Sequence, residues 1–309
     1  MKLSRPNCFL FIVAIAALSN GCAKQASLAS AAVPPPAFEF EGSWGTRGTG
    51  PGQLEAPVAI AADSTGSVYV ADAGSARVNK FSTLGEPRLS FEDDRVVLHP
   101  AGIAVDDGGA IYVTDGRRGS VIIYKPDGSR FREMHLPLPA GVRSSLRIAI
   151  DADGNICIAG RKPFGLRKYT WRGQTVAPWK NDAAKEAAFD EPSGVAAGHD
   201  GIVYLSDAAH GAIRVYQRDG TLLRTPIAPG ESVAFAGVAV NAQWIVAVDP
   251  VAHALHTWSI DGTYRMKHDL SMWISGNDPS PLGVTIAPGG ECLVLDAPGA
   301  RVLRFRLHL

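Results

Sequence analysis

One short stretch, Gly66-Ser67-Val68-Tyr69-Val70-Ala71-Asp72, returns five more times along this chain. The returns occupy residues 110–115, 155–160, 202–207, 244–249 and 292–296. Their last residues are 43, 45, 47, 42 and 47 positions apart. Each copy is β-branched or aromatic at its centre, as strands are. A period of roughly 40–45 residues with several strands per unit is the signature of propeller blades.

Each unit has the same internal order. A run of small and aliphatic residues comes first, as in Pro57-Val58-Ala59-Ile60-Ala61-Ala62-Asp63 and Pro100-Ala101-Gly102-Ile103-Ala104-Val105-Asp106. It recurs at 146–151, 192–197, 235–240 and 281–286. Small side chains suit the crowded innermost strand of a blade. A Gly-rich turn follows, supplying the positive φ of a tight hairpin. The second strand is the repeated stretch itself, almost continuously apolar, which fits burial on both faces. A third strand follows and ends in an aromatic ring in all six units: Phe81, Tyr124, Tyr169, Tyr216, Trp258 and Phe305. Turns such as Asp127-Gly128 and Asp219-Gly220 then lead to an outer strand. Alternation appears only there (Arg88-Leu89-Ser90-Phe91), as in a half-exposed strand.

The pattern Pro-x-Gly-Ile-Ala-Val-Asp, Gly-x-Val-Tyr-Val-Ala-Asp, Arg-Val-x-x-Phe resembles the NHL repeat. The resemblance runs from about residue 57 to 305. It implies an all-β fold, a six-bladed β-propeller of four-stranded blades. The sixth unit has only Arg306 to Leu309 after its third strand, too few for a turn and an outer strand. The stretch Phe38-Glu39-Phe40-Glu41-Gly42-Ser43-Trp44 alternates and is expected to supply that strand, pairing with residues 302–305 and closing the ring.

Ahead of the propeller (37–309), residues 1–21 read as a signal peptide. Lys2 and Arg5 precede an apolar run at 8–18, too short to span a bilayer. Leu18-Ser19-Asn20-Gly21-Cys22 resembles a bacterial lipobox, with Ser19 where leucine is usual. The resemblance implies lipidation of Cys22; the alternative is plain secretion with an unmodified thiol. Residues 22–36 then form a tether, small, polar and ending in Pro34-Pro35-Pro36. The expected location is the bacterial cell envelope, with membrane contact through the lipid anchor only. Cys157 and Cys292 fall in opposite blades and are expected as two buried, unpaired thiols.

Formal net charge is zero, so no global field draws the chain to nucleic acid. The strand-end aspartates (72, 115, 207, 249, 296) read as turn caps rather than a catalytic carboxylate ring. Gly160 breaks that series. Some NHL-type lyases hold a channel metal on histidines from several blades at the position of His99. The equivalent positions here are Ala56, Ser145, Glu191, Ala234 and Ser280, and one histidine makes no metal site. His210 and His253 lie on turns of adjacent blades. No metal or other cofactor is expected.

Cations gather instead on turns of two adjacent blades. Arg117 and Arg118 follow Asp115, and Arg161 and Lys162 follow Gly160. Arg143 and Trp179 lie in loops that lead into the third and fourth blades. These turns and loops share one face of a meander, where Asp115 is the one acid that sequence position places beside them. Arginine suits carboxylate, sulfate or phosphate partners; the plain alternative is a solvated surface. The first functional expectation is a non-enzymatic, monomeric binding module whose loop face meets a protein or an anionic glycan of the envelope. The second is a propeller hydrolase or lyase at the channel mouth, which requires at least three His, Asp or Glu side chains to converge there.

Overall fold

The second-strand stretch is buried at every residue from Ser67 to Asp72, and this sets the architecture. Such a strand needs apolar cover on both faces, which neighbouring blades supply. In the computed structural model, which describes residues 37–93, 98–137, 146–161, 164–176, 191–229, 233–274 and 281–308, antiparallel sheets stand in a ring. The inner strands Pro57–Ala62, Pro100–Val105, Arg147–Ile150, Pro192–Ala197, Gly237–Val240 and Pro281–Ile286 touch in cyclic order, the sixth against the first. The chain is a six-bladed, all-β propeller.

The first blade sets the pattern: Pro57–Ala62, Ser67–Asp72, Arg77–Ser82 and Pro87–Phe91 pair in order from the channel outward. The third blade has three strands among the described residues, Arg147–Ile150, Ile156–Gly160 and Gly165–Tyr169. A single bridge, Tyr169 to Thr175, stands where a fourth would begin. Apolar side chains fill each gap between blades. Tyr69, Val78 and Leu98 pack with Ile103, Val113 and Tyr124 between the first and second.

The last blade closes as the sequence expects, over a longer register. Ala37–Trp44 pairs with Arg301–His308 from Ala37 opposite His308 to Trp44 opposite Val302, with a bulge between Phe40 and Gly42. The residues after Phe305 extend the third strand instead of turning back. Trp44 reaches across to the first blade, 4.7 Å from the Phe81 ring, and its indole N–H donates to the Thr83 carbonyl at 3.0 Å. On the other side Phe40 stacks on Trp273 with ring centroids 5.3 Å apart, and Phe305 meets Phe38 and Trp273 edge-on and Phe40 at a tilt, all within 6.3 Å.

Four of the five strand-end aspartates, Asp72, Asp115, Asp249 and Asp296, accept backbone N–H groups of the turn that follows. Asp207 does not cap its turn and instead takes the His210 ring, the Arg214 guanidinium and the Glu191 N–H. The sequence did not disclose a second role. Asp72, fully buried, accepts the backbone N–H groups of Gly74 and Ser75 in its own turn and of Glu55 and Ala56 in the loop leading to the inner strand. One carboxylate thereby joins the two backbone segments of that blade face. Cys157 and Cys292 are buried free thiols, and burial pushes the Cys157 thiol up to about 12.

Candidate functional site

The channel down the propeller axis is divided by a ring of six β-branched residues, Ile60, Ile103, Ile148, Val195, Val238 and Val284, one from each inner strand. These six line both cavities: one of about 970 Å³ at the hairpin end, and one of about 470 Å³ at the end bearing the loops that lead into each blade.

The wide mouth is acidic, with Asp63, Asp106, Asp107 and Asp151 in its lining. Three of these carboxylates are committed to their own hairpins. Asp63 accepts from the backbone of Thr65 and Ser67 and from the Tyr69 hydroxyl at 2.9 Å. Asp106 repeats this with Gly108, Ala110 and Tyr112. In the third blade Cys157 replaces that tyrosine in register, and the buried Lys168 ammonium meets Asp151 at 2.8 Å instead. Burial alone would raise the Asp151 pKa, but Lys168 and Asn155 hold it below the usual carboxylate range.

The narrow mouth is basic, and its charge comes from a departure in the repeat. One residue before the aliphatic ring, the inner strands carry Ala59, Gly102, Gly194, Gly237 and Gly283, and in the third blade Arg147. The glycines let neighbouring inner strands close up. A Cβ on Gly194 would lie 2.8 Å from the Gly237 Cα, and one on Gly237 would lie 3.1 Å from the Gly283 Cα. Arg147 spans the mouth. Its Nε donates to the Ser193 carbonyl of the fourth blade at 2.8 Å, and its Nη1 to the Ala101 carbonyl of the second at 2.6 Å. Among the described residues no carboxylate pairs with it. Burial, and then the nearby Arg161 charge, push its pKa below an arginine's ordinary value. The same blade ends its second strand in Gly160 where five others have aspartate, so it gains a guanidinium and lacks a carboxylate.

Of the cations expected from the sequence, Arg117 lines this mouth beside His99. Arg118 is exposed but turns outward, where its Nε donates to Glu133 on the outer strand of its blade at 2.9 Å. Burial would raise the Glu133 pKa, yet Arg118, Ser120 and Arg130 bring it down to about 2. Arg161 pairs with Glu191, which leads into the fourth blade. Asp115 is therefore not the only counterweight on this face. Cross-strand register and a neighbouring blade bring in Glu133 and Glu191, which sequence proximity does not indicate. Arg143, Lys162, Trp179 and Cys22 lie outside the described residues. Among the described residues, no three His, Cys, Asp or Glu side chains gather in a group that could hold a metal ion.

The NHL repeat model matches residues 98–124, which hold the first three strands of the second blade. The chain is a six-bladed propeller whose second blade matches the NHL repeat. Solved structures agree on the fold. The propeller is similar to a streptogramin B lyase, with a TM-score of 0.59 and 14% identity over 89% of this chain and 98% of that one. It is also similar to virginiamycin B lyase from Staphylococcus aureus, at 0.60 and 12% over 88% and 100%. A chain of a nidogen–laminin complex matches at 0.58 and 17%, over 74% and 84%. At these identities the likeness concerns the fold, which hosts many functions.

Proposed function

We propose that this NHL propeller is a binding module of the bacterial cell envelope, exported by residues 1–21 and anchored through a lipid on Cys22. Its recognition surface is the narrow-mouth face, and its partner is a protein or an anionic glycan. The observation that carries this reading is the contrast between the two mouths. At the wide mouth Asp63, Asp106 and Asp151 are tied into the hairpins that every blade needs. At the narrow mouth Arg147 and Arg117 border an open cavity of about 470 Å³. Arginine there offers several fixed donors to an acidic partner. The nidogen–laminin complex gives a precedent, for that protein, of a similar fold found with a partner.

The test is a pull-down from envelope extract, wild type beside the Arg117→Ala, Arg118→Ala, Arg161→Ala, Lys162→Ala variant. The variant is expected to lose the wild type's partners, and rising salt is expected to release them, because exposed charges are screened over about 8–10 Å at 0.10–0.15 M. Equal recovery at low salt would reduce the patch to solvated surface. Anchoring is tested separately: Cys22→Ala should move the protein from the membrane to the soluble fraction.

A further inference from the structure

We propose that the narrow mouth is a seat for one oxyanion, a carboxylate, phosphate or sulfate carried on a compact apolar body, with Arg147 as its principal ligand. The inference rests on the narrow-mouth face being the recognition face, and it names what that face takes. Two departures in the third blade support it together. Arg147 stands where the five other inner strands keep glycine or alanine, and Gly160 stands where five second strands end in aspartate. Either change alone would alter the local charge. Together they leave a partly buried guanidinium at the channel axis with no carboxylate pairing with it among the described residues.

A guanidinium has five N–H donors and cannot discharge itself by losing a proton in ordinary conditions. Two of Arg147's donors go to the Ser193 and Ala101 carbonyls, which fix its plane across three blades. No other protein hydrogen bond engages the remaining three among the described residues. A charge held this way is costly to keep without an opposite charge, and an oxyanion supplies one with geometry that matches the fork. Arg117 at the rim adds a second positive charge. His99 and Ser193 are the other polar side chains of the lining, and the remainder is apolar: Val58 and Leu282 near the rim, with the aliphatic ring as floor. A cavity of about 470 Å³ lies within the range of small-molecule sites. It is larger than a bare phosphate needs, so the anion's carrier lies against those walls.

The probes are inorganic phosphate and phenyl phosphate, titrated into 15N-labelled full-length protein at constant ionic strength. The readout is the arginine side-chain Nε–Hε resonance that Arg147→Lys removes, which assigns it. That signal is expected to shift saturably with both probes, and phenyl phosphate is expected to bind more tightly. Arg147→Lys keeps a charge but loses the fork, so its phosphate affinity, followed by 31P line width, should fall about tenfold or more, the size of one lost charged hydrogen bond. An unmoved or non-saturating Arg147 signal in the wild type would overturn the proposal whether or not the variant folds. Equal affinity for the two probes would overturn the apolar-carrier half of it. The experiment uses no envelope extract, so it can fail while the pull-down succeeds, or succeed while the pull-down fails.

Discussion

The second and third blades are built on one plan, and at the narrow mouth they differ at two adjoining places. The second ends its middle strand in Asp115, which accepts the backbone N–H groups of His99, Arg117 and Arg118 and binds turn to lead-in loop. Its inner strand has Gly102 in the narrowest layer. The third has Gly160 and Arg147 in those two positions. What five blades share is backbone satisfaction and close packing, which is stability. What one blade alone carries is an arginine set across the channel with no carboxylate pairing with it among the described residues, which stability does not call for. The shared features should therefore govern folding, and the third blade's own features should govern binding.

Removing a shared structural feature should have the largest effect. Deleting residues 37–44 strips the last blade of its outer strand and exposes the faces that Phe38, Phe40 and Trp44 cover. With three aromatic contributions lost, unfolding free energy should fall by about 5 kcal/mol or more, read by urea denaturation. An unchanged midpoint would break the closure register. Next comes Asp72→Ala. It leaves the N–H groups of Glu55, Ala56, Gly74 and Ser75 without their acceptor, at a cost of about 3 kcal/mol by the same measurement.

A smaller effect separates Arg118, which has an acid, from Arg147, which pairs with none among the described residues. The Glu133 pKa sits at about 2, below its usual 4.5. The folded state thus holds fewer protons than the unfolded one between those values. The stabilisation is complete above about 4.5 and is lost as pH falls toward 2. Glu133→Gln should flatten that acid limb, by no more than about 1 kcal/mol because Arg118 is solvent-screened.

Much of the architecture was legible because it is repeated. Six apolar stretches at one period gave the blades, and the truncated sixth unit pointed to residues 38–44 as its missing strand. Whereas Asp207 is drawn off by His210 and Arg214, the turn-capping role of Asp72, Asp115, Asp249 and Asp296 followed from their place at strand ends. Their grip on the lead-in loop did not, because Glu55 and Ala56 are sixteen or seventeen residues before Asp72. The pairing of Arg118 with Glu133 depends on the register of the third and outer strands. The pairing of Arg161 with Glu191 depends on the next blade standing alongside. Arg147 had left a signal. Counted back from Asp63, Asp106 and Asp151 it aligns with Ala59 and Gly102, but a single arginine in an apolar run is conspicuous only once that layer is known to line a channel.

The most direct test rewrites the third blade to match its neighbours, with Arg147→Gly and Gly160→Asp in one protein. Stability and recovery of envelope partners are then measured on the same preparation. The account predicts an unfolding free energy within about 1 kcal/mol of wild type, since the two hydrogen bonds to Ser193 and Ala101 that are lost go with a partly buried charge that has no ion partner among the described residues, together with loss of the partners that wild type recovers. A well-folded double variant that still recovers them at low salt would contradict it.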